Sequence, residues 1–304
     1  MVIEYLVFEG GGIKALGFGG CYKYLEEMDL LKNIKGAAGS SAGSIFAAAV
    51  CVGIKSDKII EIFKDTDFSK FKDGGHFGYL SNIYNLIRHY SLYKGDKLYK
   101  WISNMVNLTT GNSKITFKEL YDKYNKHLVI TGCCISKGHT VYFHHEDPKY
   151  RDMPIALAIR ISMSVPFYWK PITYKGDLFI DGGVLDKYPI WVFDGDNIGY
   201  SNLTDDEIEK SKTLGFKLKG NNERDDITLY NIDNKVNNIL DYYKVFINTI
   251  FVELERKHVR SKYWDITINV DTGDIMTTDF DLNMDKKIKL VNEGYKSTKI
   301  YFSQ

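Results

Sequence analysis

Twice within its first 52 residues the chain passes from a short apolar run through a glycine-marked turn into a helical pattern, and this repetition constrains the fold most. Residues 3–8 form a compact apolar stretch ending in glycines, and apolar side chains then recur at Leu16, Cys21, Tyr24, Leu25 and Met28, the spacing of one helix face. Residues 34–38 are short and bounded by glycine, and residues 42–52 follow as an alanine-rich helical stretch. Two successive strand–turn–helix units predict a parallel sheet.

Residues 56–125 read as mainly helical, with apolar positions at Ile59, Ile62, Phe63, Ile83, Leu86, Ile87, Leu98, Trp101, Ile102 and Met105. Residues 70–78 interrupt them as a loop, and the whole segment is a candidate cap over a site. Residues 128–135 and 140–144 predict two strands around a Lys137-Gly138 turn. A helix over 155–163 ends before Pro166, a short strand over 178–180 runs into Asp181-Gly182-Gly183, and 214–218 is strand-like. Ile239, Tyr243, Phe246, Ile250 and Leu254 mark a long helix, 264–270 alternates as a strand, and 288–301 predicts a closing helix. No internal repeat or linker appears, so the expectation is a single domain over 1–304.

Composition narrows the functional classes. Forty basic against 39 acidic residues leave a formal charge of +1, which gives no bulk attraction to nucleic acid. Cys21, Cys51, Cys133 and Cys134 sit inside apolar patterns, without disulfide-framework or zinc spacing, and are expected as reduced core residues. The first eight residues lack the features of a signal peptide, which predicts an intracellular, cytoplasmic protein. The longest apolar stretch, 42–54, is shorter than the roughly 18 residues that span a bilayer, so any membrane contact is expected to be peripheral.

Three glycine-rich turns carry the chemistry. Gly39-Ser40-Ser41-Ala42-Gly43 fits Gly-x-Ser-x-Gly between a strand and a helix, where small flanking residues let a tight turn expose the Ser41 hydroxyl. An ordinary helix N-cap would use the same residues. Gly10-Gly11-Gly12-Ile13-Lys14 opens the first helix and can aim consecutive amides at one point as an anion nest. Read as a dinucleotide fingerprint, the same block lacks the acid expected at the end of the second strand, where Ala37-Ala38-Gly39 stands. Asp181-Gly182-Gly183 ends a short strand, which brings a carboxylate to the sheet edge; an Asp-Gly turn is its plainer reading.

A serine nucleophile needs a base. Among seven histidines, none stands in a comparable glycine-flanked turn: His144 and His145 read as a surface pair, and His258 alone suits the order Ser, Asp, His.

Together these blocks resemble the patatin-like phospholipase family. Its glycine oxyanion block is similar to residues 10–14, its nucleophile motif to Gly39–Gly43, and its Asp-Gly-Gly/Ala motif to Asp181–Gly183. A further family block, a helix ending in a serine- and proline-containing turn, resembles residues 159–167, and 278–295 is similar to bacterial-type members. Ala15 stands where the family usually has glycine, and Asp186 and Lys187 where it has small polar residues. The resemblance implies an α/β three-layer sandwich with a mostly parallel central sheet flanked by helices. It implies Ser41 and Asp181 as a catalytic dyad, Gly39 and Gly43 as the elbow, and Gly182 and Gly183 as support for the aspartate. Gly10, Gly11, Gly12, Ile13 and Lys14 would supply the oxyanion hole. The implied substrate is a phospholipid or lysophospholipid at a membrane or micelle surface, with no metal, no cofactor and no nucleic acid. Two other classes stay open at this point: a histidine-dependent esterase and a lipid-binding protein without turnover.

Overall fold

The computed structural model describes residues 2–73, 78–195, 197–199, 204–208, 211–220, 242, 246, 261–277 and 279–304. The strands are β1 Tyr5–Phe8, β2 Gly36–Gly39, β3 Ser91–Tyr93, β4 His127–Cys134, β5 His139–Phe143, β6 Phe167–Trp169, β7 Ile172–Tyr174, β8 Asp177–Asp181, β9 Thr213–Gly220 and β10 Thr267–Gly273. The helices are α1 Gly17–Glu27, α2 Gly43–Val52, α3 Ser56–Asp65, α4 Gly78–His89, α5 Asp96–Thr110, α6 Phe117–Tyr124, α7 Ile155–Ser162, α8 Asp205–Ile208 and α9 Met284–Phe302.

The main sheet has the order β10-β9-β1-β2-β4-β8-β7, with β5 also on β4. Strands β10, β9, β1, β2 and β4 run parallel, the outcome predicted from the two strand–turn–helix units; β5, β8 and β7 extend the sheet antiparallel. Both faces are covered. Leu6 and Phe8 of β1 enter one apolar cluster while Val7 enters a second, and Ala37 and Ala38 of β2 divide the same way. Alternate side chains point to opposite faces, so burial on both sides explains why these strands read as continuous apolar runs.

One feature of the pairing positions the site. Ile130 of β4 pairs with Gly39 of β2 and Phe143 of β5, and Gly132 pairs with Val141 of β5 and Asp181 of β8. A strand has two edges, and β5 occupies one of them without interruption, so β2 and β8 share the other. They meet end on: the last residue of β2 and the last residue of β8 lie two residues apart along β4, about 7 Å.

The helix layer is held by close backbone contact. At Gly20 of α1 a Cβ would lie 1.8 Å from the Val291 carbonyl of α9, and at Gly294 of α9 it would lie 1.8 Å from the Gly17 carbonyl. The four cysteines are buried and free, as expected. Residues 264–266, expected as the start of a strand, instead belong to a 3-10 turn over Ser261–Ile266 before β10, and the three-residue strands β3, β6 and β7 were not anticipated. The helix expected around 239–254 lies outside the described residues apart from Tyr242 and Phe246, and residues 74–77 of the expected loop lie outside them as well. No helix among the described residues is long and apolar enough to cross a membrane.

Candidate active site

Ser41 sits two residues beyond β2, at the entrance to α2, with φ +47°. A non-glycine residue in this left-handed region stores on the order of 1 kcal/mol and persists only where its surroundings over-determine it. Here they do. The Ser41 N–H donates to Ser162 Oγ at 2.8 Å, and its carbonyl accepts from Ser44 Oγ at 2.5 Å. The flanking glycines leave no alternative: a Cβ on Gly39 would lie 2.5 Å from the Gly43 carbonyl, and one on Gly43 would lie 2.5 Å from the Phe8 and Glu9 oxygens.

Asp181 reaches the same point from the end of β8. Its N–H donates to the Ser164 carbonyl at 2.9 Å, Oδ1 accepts the Gly183 N–H at 2.7 Å, and Oδ2 accepts the Ser41 hydroxyl at 2.8 Å. The side chain is almost wholly buried. Burial pushes its carboxyl from the ordinary range up to about 7, against the Gly183 and Ser41 hydrogen bonds, which pull it down. A carboxylate is thereby tuned toward neutral pH, where a general base is most effective. Gly182 lies against β4, where a Cβ would meet Thr131 Oγ1 at 2.1 Å; that hydroxyl donates to Ser40 Oγ at 2.8 Å.

The glycine block adjoins the serine: a Cβ on Gly10 would lie 3.2 Å from Ser41 Cβ. Its amides are not equivalent. Gly10 donates to the Lys187 carbonyl, Ile13 to that of Thr277, and Lys14 to that of Gly11, at 3.0, 3.3 and 3.2 Å. No acceptor takes the Gly11 and Gly12 amides among the described residues. Gly12 has φ +55°, and a Cβ there would meet the Thr277 carbonyl at 2.2 Å.

Lys187, the departure beside Asp181, points to the interior. Its ammonium lies 2.7 Å from Glu9 Oε1, in an ion pair in which Glu9 is fully buried. Lys217 Nζ stands 3.8 Å from the same oxygen, and Glu9 Oε2 accepts the Leu218 N–H at 2.6 Å. Glu9 precedes the glycine block directly, so this pair and the Gly10–Lys187 bond fasten that block to the segment after Asp181. Among the described residues no histidine hydrogen-bonds to Ser41 or Asp181, and His258 lies outside them. His144 and His145, expected at the surface, are both partly buried.

Ser162, Ser164, Thr131 and Glu9 were not among the expected site residues. Ser162 and Ser164 belong to the serine–proline block at 159–167, which sequence alone marks without a role; nothing in the sequence signals Thr131 or Glu9.

A serine hydroxyl on a strained strand-to-helix turn, hydrogen-bonded to a buried carboxylate, has the geometry that a nucleophile and a base require of each other. Residues 6–194 match the family model described as Patatin-like phospholipase, and the chain belongs to that family, a class of lipid-ester hydrolases. Over 98% of its length it is 27% identical to the protein YqhO of Bacillus subtilis (strain 168), covering 97% of that protein. Over 98% it is 30% identical to the protein R571 of Acanthamoeba polyphaga mimivirus, covering 93% of it. A third relative, the probable lipid hydrolase 463L of Invertebrate iridescent virus 6, is 25% identical over 61% of each chain. The fold matches VipD from Legionella pneumophila with a TM-score of 0.64 at 16% identity, over all of this chain and 67% of that one. It also matches the type III effector ExoU, with a TM-score of 0.53 at 17% identity, over all of this chain and 53% of that one.

Proposed function

We propose that the protein releases fatty acid from glycerophospholipids or lysophospholipids, in the manner of a phospholipase A, with Ser41 as nucleophile and Asp181 as its base. The observation that carries this reading is the 2.8 Å hydrogen bond from the Ser41 hydroxyl to a buried carboxylate lifted to about 7. In the first step Asp181 takes the hydroxyl proton as Ser41 Oγ attacks the ester carbonyl. The amides of Gly11 and Gly12 are the donors for the oxyanion, because those of Gly10, Ile13 and Lys14 already have acceptors. Collapse of the tetrahedral intermediate passes that proton from Asp181 to the departing alkoxide, expels the lyso product or glycerol derivative and leaves an acyl ester on Ser41 with Asp181 again a carboxylate. Water, deprotonated by Asp181, then releases the fatty acid and restores the serine.

Purified wild type, Ser41→Ala and Asp181→Asn, assayed for free fatty acid from mixed phospholipid micelles, test the assignment. Both variants should lose about three orders of magnitude or more. Full turnover in either would sink the dyad. A fluorophosphonate probe should label wild type and not Ser41→Ala; an unlabelled wild type would favour a lipid-binding role instead.

A further inference from the structure

The end of the sheet opposite Ser41 carries a second cluster of reactive side chains. The β4–β5 ladder runs from Cys134 opposite His139 to Ile130 opposite Phe143. Continued by three residues, it sets His127 opposite Glu146 at the open end of the hairpin, with His145 beside them. His127 Nδ1 and His145 Nε2 are 3.0 Å apart. Glu146 Oε1 lies 3.8 Å from the first and 3.7 Å from the second. Three donor atoms from three residues thus form one small triangle. An ion bonded tetrahedrally at about 2.0–2.1 Å holds its ligand atoms about 3.3 Å apart, so changes of a few tenths of an ångström would seat one.

The rings are held in place before any ion arrives. Tyr121 of α6 stacks on His145 with ring centroids 3.8 Å apart and 11° between planes, and it lies 5.1 Å from the His127 ring. The His127 and His145 side chains are 26% and 12% exposed, while Glu146 is 44% exposed, which leaves a path from solvent on the carboxylate side. Two imidazole nitrogens and one carboxylate oxygen are a borderline donor set that suits zinc rather than calcium or magnesium.

We propose that His127, His145 and Glu146 bind one zinc ion, with water in the fourth position. The ion clips the open end of the β4–β5 hairpin and stands at the amino-terminal edge of β4, whereas Ser41 lies beyond the carboxyl end of neighbouring β2. Its effect is on stability and not on the serine chemistry.

The test uses the full chain freed of metal with a chelator and then titrated with zinc chloride by calorimetry. One equivalent should bind with a Kd of about 1 µM or below. Cobalt chloride should give the intense visible absorption of a four-coordinate ion. A hundredfold excess of zinc over Kd should raise the thermal midpoint by roughly 4 °C. Glu146→Gln, at a solvent-facing side chain that the fold does not need, should weaken binding at least tenfold. His145→Ala should abolish it, and His139→Ala, at the exposed start of β5 beside the turn, should leave it unchanged. Absence of saturable binding by the wild type, or undiminished affinity in Glu146→Gln or His145→Ala, would overturn the site.

Discussion

At the level of single residues, Asp181 joins two requirements that pull against each other. A carboxylate at the ordinary aspartate value is a poor acceptor for a serine proton; burial lifts this one to about 7. Activity should therefore rise as the pH increases through about 7, when Asp181 loses its proton, and level off above it; a kcat/KM profile measures this. Stability runs the other way. Because the folded value lies above the unfolded one near 4, the folded chain holds a proton that the unfolded chain releases. The stabilising contribution of this group is complete below about 4 and is lost as the pH rises to about 7. Asp181→Asn should then be more stable than wild type at pH 8 by about 4 kcal/mol, the difference vanishing near pH 3; thermal melts at the two pH values check it. Lys187 shows the converse. Lys187→Met leaves the buried Glu9 carboxylate with Lys217 at 3.8 Å and should cost about 2 kcal/mol, seen as a lower urea midpoint.

At the level of elements, the turn holding Ser41 was readable because its chemistry is local. Small residues at Gly39 and Gly43 are demanded by backbone atoms within four positions of the serine or on the adjoining strand end. The partner that holds the Ser41 amide was not readable, since Ser162 stands 121 positions away and acts only once α7 ends beside the elbow. Ser162→Ala should fold normally yet lose about tenfold in rate, the worth of one hydrogen bond that steadies a strained turn; kcat and the circular dichroism spectrum separate the two effects. Residues 264–266, the end of the 3-10 turn that begins at Ser261, show why alternation misled. Tyr263 and Ile266 both bury in the second cluster, and a spacing of three is that of a 3-10 turn, whereas the alternating pattern proper begins in β10. Strands β3, β6 and β7 are three residues each, too short to carry any period, and exist through their pairing partners.

For the whole molecule, the predicted parallel sheet describes five of the strands; the antiparallel part is set by where β4 changes partner from β2 to β8 along one edge. Local pattern cannot reveal that exchange, yet it brings Asp181 to Ser41. The helical segment expected as a candidate cap shares its apolar face with the rest: Ile59, Phe63, Ile102 and Leu120 belong to the same cluster as Leu6, Phe46, Ile159 and Leu290. Helices that bury into a common core open with it and not separately. Native-state hydrogen exchange followed by mass spectrometry should therefore give amides of α5 and α6 an opening free energy close to that of β1, which is paired on both edges and covered on both faces. The edge strand β7 should exchange faster, because only β8 pairs with it and its side chains are partly exposed. If α5 and α6 exchanged several orders of magnitude faster than β1, the segment would be a separately moving cap.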